Sequence, residues 1–285
     1  MLVNELKGRV DVIRLARWQM FAAFAMTGAG ALVIGGWQTI GWREIWLLAA
    51  SGLFGIVIAS TTYFAAIYAA GPRMTALLFT LASPFSLLLG YLFLGETINA
   101  RQGVGVALVL AGILMAVGLR RRGVVTPVET PALAAAEAPS ARLSWPGAAL
   151  GVVTALGQAL GSLVARPAME AGVEPVAAMA VRSGVAALFF LLLPVLPLSM
   201  LRRPYHFRKG DVGLAVASAF FGTGLGMSLL MAALATGNVG IVTTLSSTTP
   251  IMILPMVWLR TGAAPTRAAW FGALLAVAGA AAISL

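Results

Sequence analysis

The chain has 285 residues, 60% hydrophobic and only 10% Asp, Glu, Lys or Arg, where an ordinary soluble domain has about 45–50% and about 25%. Mean hydropathy is +0.95 over the whole length. The 19 basic and 9 acidic side chains cannot coat a soluble body of this size, which excludes a water-soluble enzyme and a disordered chain; the lack of cysteine excludes a disulfide scaffold. The net charge of +10 sits between apolar blocks, so it reads as membrane anchoring and no nucleic-acid partner is expected.

A hydrocarbon core of about 30 Å takes about 20 apolar residues per helix. Nine stretches qualify, labelled A to I in chain order: 11–36, 42–70, 73–95, 103–119, 146–169, 175–200, 212–236, 239–259 and 266–285. Gly, Pro or charged residues break the chain between them, as at Gly71-Pro72-Arg73 and Arg202-Arg203-Pro204. No stretch shows the alternation of a membrane β-barrel. The expected fold is an all-α polytopic membrane protein with nine transmembrane helices. The basic residues before span A resemble the start of a signal peptide, but the apolar run from Trp18 to Ile40 exceeds a cleavable core, so the span reads as retained.

Fifteen Lys and Arg fall on the N-terminal side of the membrane in this scheme and three, Arg43, Arg101 and Arg166, on the other; Arg182 lies inside span F. That bias puts the N-terminus in the cytoplasm and Leu285 outside, in a bacterial inner membrane. Residues 120–145 hold Pro127, Pro131 and Pro139 with few large apolar side chains, and read as a cytoplasmic linker between residues 1–119 and 146–285.

The two parts match when shifted by about 166 residues. Arg17 falls on Arg182, Phe54-Gly55 on Phe221-Gly222, Gly71 on Gly237, Pro84 on Pro250, Arg101 on Arg267 and Gly112 on Gly279. Spans F to I repeat A to D, and E is unmatched. Arg17 and Arg182 then lie toward opposite faces, as expected of two inverted repeat units of four and five helices, an arrangement common among transporters.

The run Leu89-Gly90-Tyr91-Leu92-Phe93-Leu94-Gly95-Glu96, with Pro84 before it and Gly103 and Gly112 after it, resembles the EamA-type carriers of the drug/metabolite transporter superfamily. The resemblance implies ten helices in two inverted five-helix units exporting amino acids and other small metabolites, with the amino-acid exporters most similar. Against that pattern the first helix is lacking: 1–10 aligns with the end of E, as in a truncated or mis-started chain or a true nine-helix protein. Arg260-Thr261-Gly262 also stands where the first repeat has Leu94-Gly95-Glu96.

Candidate site residues are polar or aromatic groups inside spans. In E, Thr154, Gln158, Ser162 and Arg166 are four apart and share a face that should meet protein or a water-filled cavity, although the same helix carries GxxxG pairs suited to plain packing. In H, six hydroxyls from Thr243 to Thr249 precede Pro250, whose ring frees a backbone carbonyl that they can bond. Tyr63, Phe79, Ser83, Gln158, Ser162, Ser228, Thr244 and Ser247 are the expected substrate contacts, lining a cavity between the two repeats; Arg17, Pro84, Arg182 and Pro250 are expected to gate or to hold structure. Met227 and Met231 read as plain core.

The carboxylates Glu44, Glu96, Glu170 and Glu174 all stand at span ends, so no proton-coupling group is visible within a span. No Walker loop, metal cluster or nucleophile–base pair occurs, so neither a cofactor nor an enzymatic reaction is expected. The leading expectation is a facilitative, alternating-access exporter of small, partly apolar metabolites, neutral and aromatic amino acids first. The alternatives are a drug or lipid-precursor carrier and a non-transporting scaffold or inactive truncated product. Expected partners are a small-molecule substrate and the lipid bilayer, the chain being a monomer or weak dimer.

Overall fold

The computed structural model describes residues 12–70, 75, 78–115, 145–193, 209–248 and 267–284. Nine helices and no strand occur among them: α1 (Val12–Ile34), α2 (42–70), α3 (Ala82–Leu94), α4 (Ala100–Ile113), α5 (Trp145–Glu170), α6 (Pro175–Leu192), α7 (209–236), α8 (Val239–Ser246) and α9 (Arg267–Ser284). They follow spans A to I in order. Trp42–Tyr63, Trp145–Glu170, Pro175–Leu192 and Val212–Thr236 are long and apolar enough to cross a membrane; Ala82–Leu94, Ala100–Ile113 and Arg267–Ile283 are apolar but shorter. Large apolar side chains stand on the outside, Val33 at 88% exposure and Trp145 at 82%, which water would penalise and lipid would not.

Local chemistry explains where the helices begin and end. Gly35, at φ +77°, and Gly95, at φ +64°, take the left-handed conformation that stops α1 and α3. Helix α4 starts at Ala100, three residues ahead of the expected span, because Asn99 and Gln102 form a reciprocal capping box at 2.8 and 3.0 Å. Span C is interrupted by a turn at Thr80-Leu81; Pro84 then sits in the first turn of α3, where its missing N–H costs little. Helix α8 ends at Ser246 with a turn at Ser247-Thr248, Thr248 N donating to Leu245 O at 3.1 Å. Pro250, the rest of span H and linker residues 120–144 lie outside the described residues.

Two of the long helices contain π-helical stretches, Leu53–Ile58 in α2 and Ala219–Gly226 in α7. Each includes the repeated Phe-Gly pair, Phe54-Gly55 or Phe221-Gly222. The internal repeat therefore extends to an uncommon backbone irregularity, of a kind often kept at functional sites.

By packing, the chain divides into two compact units that do not follow the sequence halves. The first comprises Met1–Ile58 and Leu160–Gly237, the second Ala59–Ala159 and Asn238–Leu285. Helix α5 gives its C-terminal part to the first and its N-terminal part to the second.

In the first unit α1 lies along α6, its counterpart in the repeat, and the Thr27 and Ser183 hydroxyls approach to 3.4 Å. Gln19 Nε2 donates to Ser218 Oγ at 2.8 Å, tying α1 to α7. Helix α6 also meets α2 closely: a Cβ on Gly52 would lie 2.8 Å from the Arg182 carbonyl oxygen.

In the second unit α3 packs on α8 and α4 on α9, again repeat counterparts. Val106, Val109, Ile113, Ala276 and Ile283 form a buried cluster along the α4–α9 seam. Gly105 approaches Gly279, and Gly112 approaches Gly272. At the repeat offset of 167, Gly105 corresponds to Gly272 and Gly112 to Gly279. At that offset the first contact maps onto the second. Small residues at these crossings let the backbones close, which is how helices adhere where lipid removes the hydrophobic drive.

Candidate functional site

The first unit holds the most deeply buried charge among the described residues. Glu174 anchors the start of α6: its carboxylate accepts from Val176 N at 2.9 Å and Ala177 N at 2.7 Å, and its own N–H donates to Thr39 Oγ1 at 2.9 Å. Arg182 follows seven residues into the helix, roughly 10 Å along the axis. Its side chain is 0% exposed. Nη1 lies 3.1 Å from Met231 Sδ on α7, while Nε and Nη2 have no hydrogen-bond partner among the described residues. A Cβ on Gly55 would lie 2.9 Å from Nη2 and 3.1 Å from Gly161 Cα, so the glycines of α2 and α5 clear the space that the guanidinium occupies.

Ser162 and Ser228, both expected to touch substrate, are buried in this same unit and their hydroxyls also lack partners among the described residues. Ser51 on α2 is satisfied by the Gly161 carbonyl at 2.5 Å. Arg166, further along α5, pairs with Glu170 at 2.9 Å and donates to the Leu234 carbonyl. Arg17, the counterpart of Arg182 in the repeat, is only half-buried. The two arginines match in sequence and differ in environment.

The second unit gathers another set. The rings of Tyr63 and Phe79 meet edge to face at 5.9 Å, both half-buried, a favourable geometry for aromatic quadrupoles. Next to Tyr63, Thr62 shares a hydrogen bond with Thr154 at 2.8 Å, and Thr154 also donates to Leu150 O at 2.8 Å. Gln158, one turn on from Thr154, is half-buried. Ser83 and Thr244 are fully buried and bond to each other, with Thr244 also bonded to Gly240 O at 2.7 Å. Ser247 Oγ donates to Thr243 O at 2.8 Å, a carbonyl that also accepts from Ser247 N at 3.0 Å. Pro84 is half-buried at the start of α3.

The expected contacts therefore fall in two places: Ser162 and Ser228 in the first unit, and Tyr63, Phe79, Ser83, Gln158, Thr244 and Ser247 in the second. Sequence reasoning took Met231 for plain core and missed its contact with Arg182, since nothing in a methionine's spacing marks the cation it touches. It also gave Glu96 no site. The carboxylate reaches from the α3–α4 loop to the start of α8, accepting from Val239 N at 3.0 and 2.8 Å, beside a 420 Å³ cleft lined by Leu87, Leu88, Tyr91, Thr97, Ile98 and Asn238.

Comparison with known proteins supplies the frame for this chemistry. Residues 2–118 and 145–285 match a family described as the EamA-like transporter family. Among curated proteins none matches. Among solved structures 24 chains match; one, described as the crystal structure of a protein, has a TM-score of 0.77 and 20% identity, covering 99% of this chain and 90% of its own. At that identity the likeness speaks for the fold.

Proposed function

Because the chain belongs to the EamA-like transporter family, within the drug/metabolite transporter superfamily, we propose that it exports small, partly apolar metabolites across the bacterial inner membrane, neutral and aromatic amino acids foremost. The observation that carries the choice of cargo is the half-buried Tyr63–Phe79 pair in the same unit as half-buried Gln158. The rings offer an apolar wall and the amide offers one donor and one acceptor group to orient a polar head. Ser83, Thr244 and Ser247 support that wall through their mutual and backbone bonds.

Transport proceeds by alternating access of two inverted repeats, 1–119 and 146–285 joined by the 120–145 linker. The exchange of the Gly105–Gly279 and Gly112–Gly272 contacts favours this symmetry, as do the matched π-helical stretches. The excess of cations on one side favours a cytoplasmic N-terminus with Leu285 outside. The protein acts as a facilitator, without cofactor, as a monomer or weak dimer.

Counterflow in proteoliposomes tests the proposal. Labelled phenylalanine and leucine should exchange against the unlabelled amino acids, and lysine should not. Gln158→Leu should lower the exchange roughly fivefold, the loss of about one hydrogen bond, with normal amounts of folded protein in the bilayer. Absence of exchange for every neutral amino acid, or full activity of Gln158→Leu, would overturn the reading.

A further inference from the structure

Arg182 is 0% exposed, yet its Nε and Nη2 donors have no partner among the described residues. These two N–H groups lie along one edge of the planar guanidinium, the fork that grips both oxygens of a carboxylate. Nη1, on the other edge, is occupied by Met231 Sδ at 3.1 Å. The unpartnered edge is the one suited to a bidentate anion.

Two further unpartnered groups come from neighbouring helices. Ser162 Oγ lies on α5 in the same compact unit as Arg182. Ser228 Oγ precedes Met231 by three residues and so shares its face of α7. A charged group and two hydroxyls are left unsatisfied within one compact unit, which is unfavourable, and an anion on the open edge of the guanidinium would compensate the charge. Water could accept from the donors but would leave the charge uncompensated.

We infer that the Nε/Nη2 edge of Arg182 binds the carboxylate of the transported molecule, with Ser162 and Ser228 as additional donors. This rests on the transporter reading above and narrows the cargo to small carboxylates. A molecule of the same apolar shape carrying an amide in place of the acid binds more weakly, because an amide brings no charge to the guanidinium.

The test compares ligands on the purified full-length chain in detergent by thermal shift, with L-phenylalanine, phenylacetate, phenylalaninamide and chloride as probes. The two carboxylates should stabilise the protein at concentrations about tenfold below those needed for the amide, and chloride should not substitute for them. Arg182→Gln, which removes the charge, should abolish the preference for acid over amide, and Arg182→Lys, which keeps the charge and loses the fork, should weaken carboxylate binding severalfold. Where Arg182→Gln yields no folded protein, the Ser162→Ala/Ser228→Ala pair provides the second arm and should weaken carboxylate binding severalfold without changing amide binding. Equal response to acid and amide, no response to either carboxylate, an equal effect of chloride, or a full acid preference surviving in Arg182→Gln overturns the inference. Counterflow separates the two readings: carboxylate-selective binding without amino-acid exchange sinks the transport proposal alone, and equal exchange of phenylalanine and its amide sinks this one alone.

Discussion

Gly105 on α4 packs against Gly279 on α9 closely enough that a Cβ on Gly105 would stand 2.8 Å from the Gly279 carbonyl oxygen. A Cβ on Gly279 would in turn stand 2.7 Å from Val109 N. Each partner in the pair is backbone, which cannot rotate away as a flexible side chain would. The exchange of this contact with Gly112–Gly272 under the repeat places the same constraint on both ends of the seam.

Gly105→Ala and Gly279→Ala should therefore each destabilise the protein by about 1–3 kcal/mol, a fall in Tm on the order of 5 °C. Gly210→Ala and Gly213→Ala serve as controls. Both positions are on α7 with nothing within 4 Å of an added Cβ, so helix propensity should leave stability unchanged or raised by up to about 1 kcal/mol. Thermal melts of the purified variants measure the contrast, and equal Tm values across all four would refute the close packing.

Glu96 should act as a helix cap supplied from another part of the chain. Its two oxygens receive the Val239 N–H at the start of α8, where the helix dipole also favours a negative charge. Glu96→Ala should cost about 1 kcal/mol, and Glu96→Gln, which keeps an acceptor but loses the charge, about half as much. Asn238 Nδ2 also holds the loop, at 3.0 Å from Thr97 O. Protease sensitivity of the α3–α4 loop, read beside Tm, should rise in the Ala variant; an unchanged cleavage rate would show that the cap is dispensable.

Phe79→Ala removes the edge-to-face partner of Tyr63. An aromatic pair contributes about 0.5–1.5 kcal/mol beyond its buried area, so the apparent KM for phenylalanine should rise by roughly threefold to tenfold. The change for alanine as substrate should be smaller, since alanine has no ring to seat. Initial rates against concentration for both substrates decide it, and parallel losses would point to a folding defect instead of a lost contact.

Flux should not depend on an imposed proton gradient. Glu44, Glu96, Glu170 and Glu174 stand at or just beyond helix ends among the described residues, where they can reach interfacial water, and Glu174 is committed to capping α6. Proton-coupled exchange needs a titrating group inside the pathway. Counterflow with a pH step of two units across the liposome should match that without one; a severalfold acceleration would reveal a coupling acid.

Much of the architecture follows from the amino-acid sequence itself. The membrane class follows from composition, because an apolar surface this large has no aqueous solution. Helix order follows from the length needed to cross lipid and from the Gly, Pro and charge breaks. Arg, Pro and Gly match in order at a near-constant offset, and their backbone or charge properties make such matches informative. Helix ends were less legible: the start of α4 depends on the reciprocal Asn99–Gln102 bonds, and the break before Ser83 on where the Pro84 ring can be tolerated.

What only the tertiary structure decided is which side chains satisfy one another. Spacing placed Thr154, Gln158, Ser162 and Arg166 on one face of a helix, but Thr154 finds Thr62, Arg166 finds Glu170 and Leu234, and Ser162 finds no partner among the described residues. Arg17 and Arg182 match in the repeat, yet only Arg182 is enclosed, because Gly52, Gly55 and Gly161 bring neighbouring backbones around it. Periodicity along a chain records which residues share a helix face. Burial and hydrogen bonding depend also on contacts between residues far apart in the chain, such as Thr62 and Thr154, and those exist only once the helices have packed.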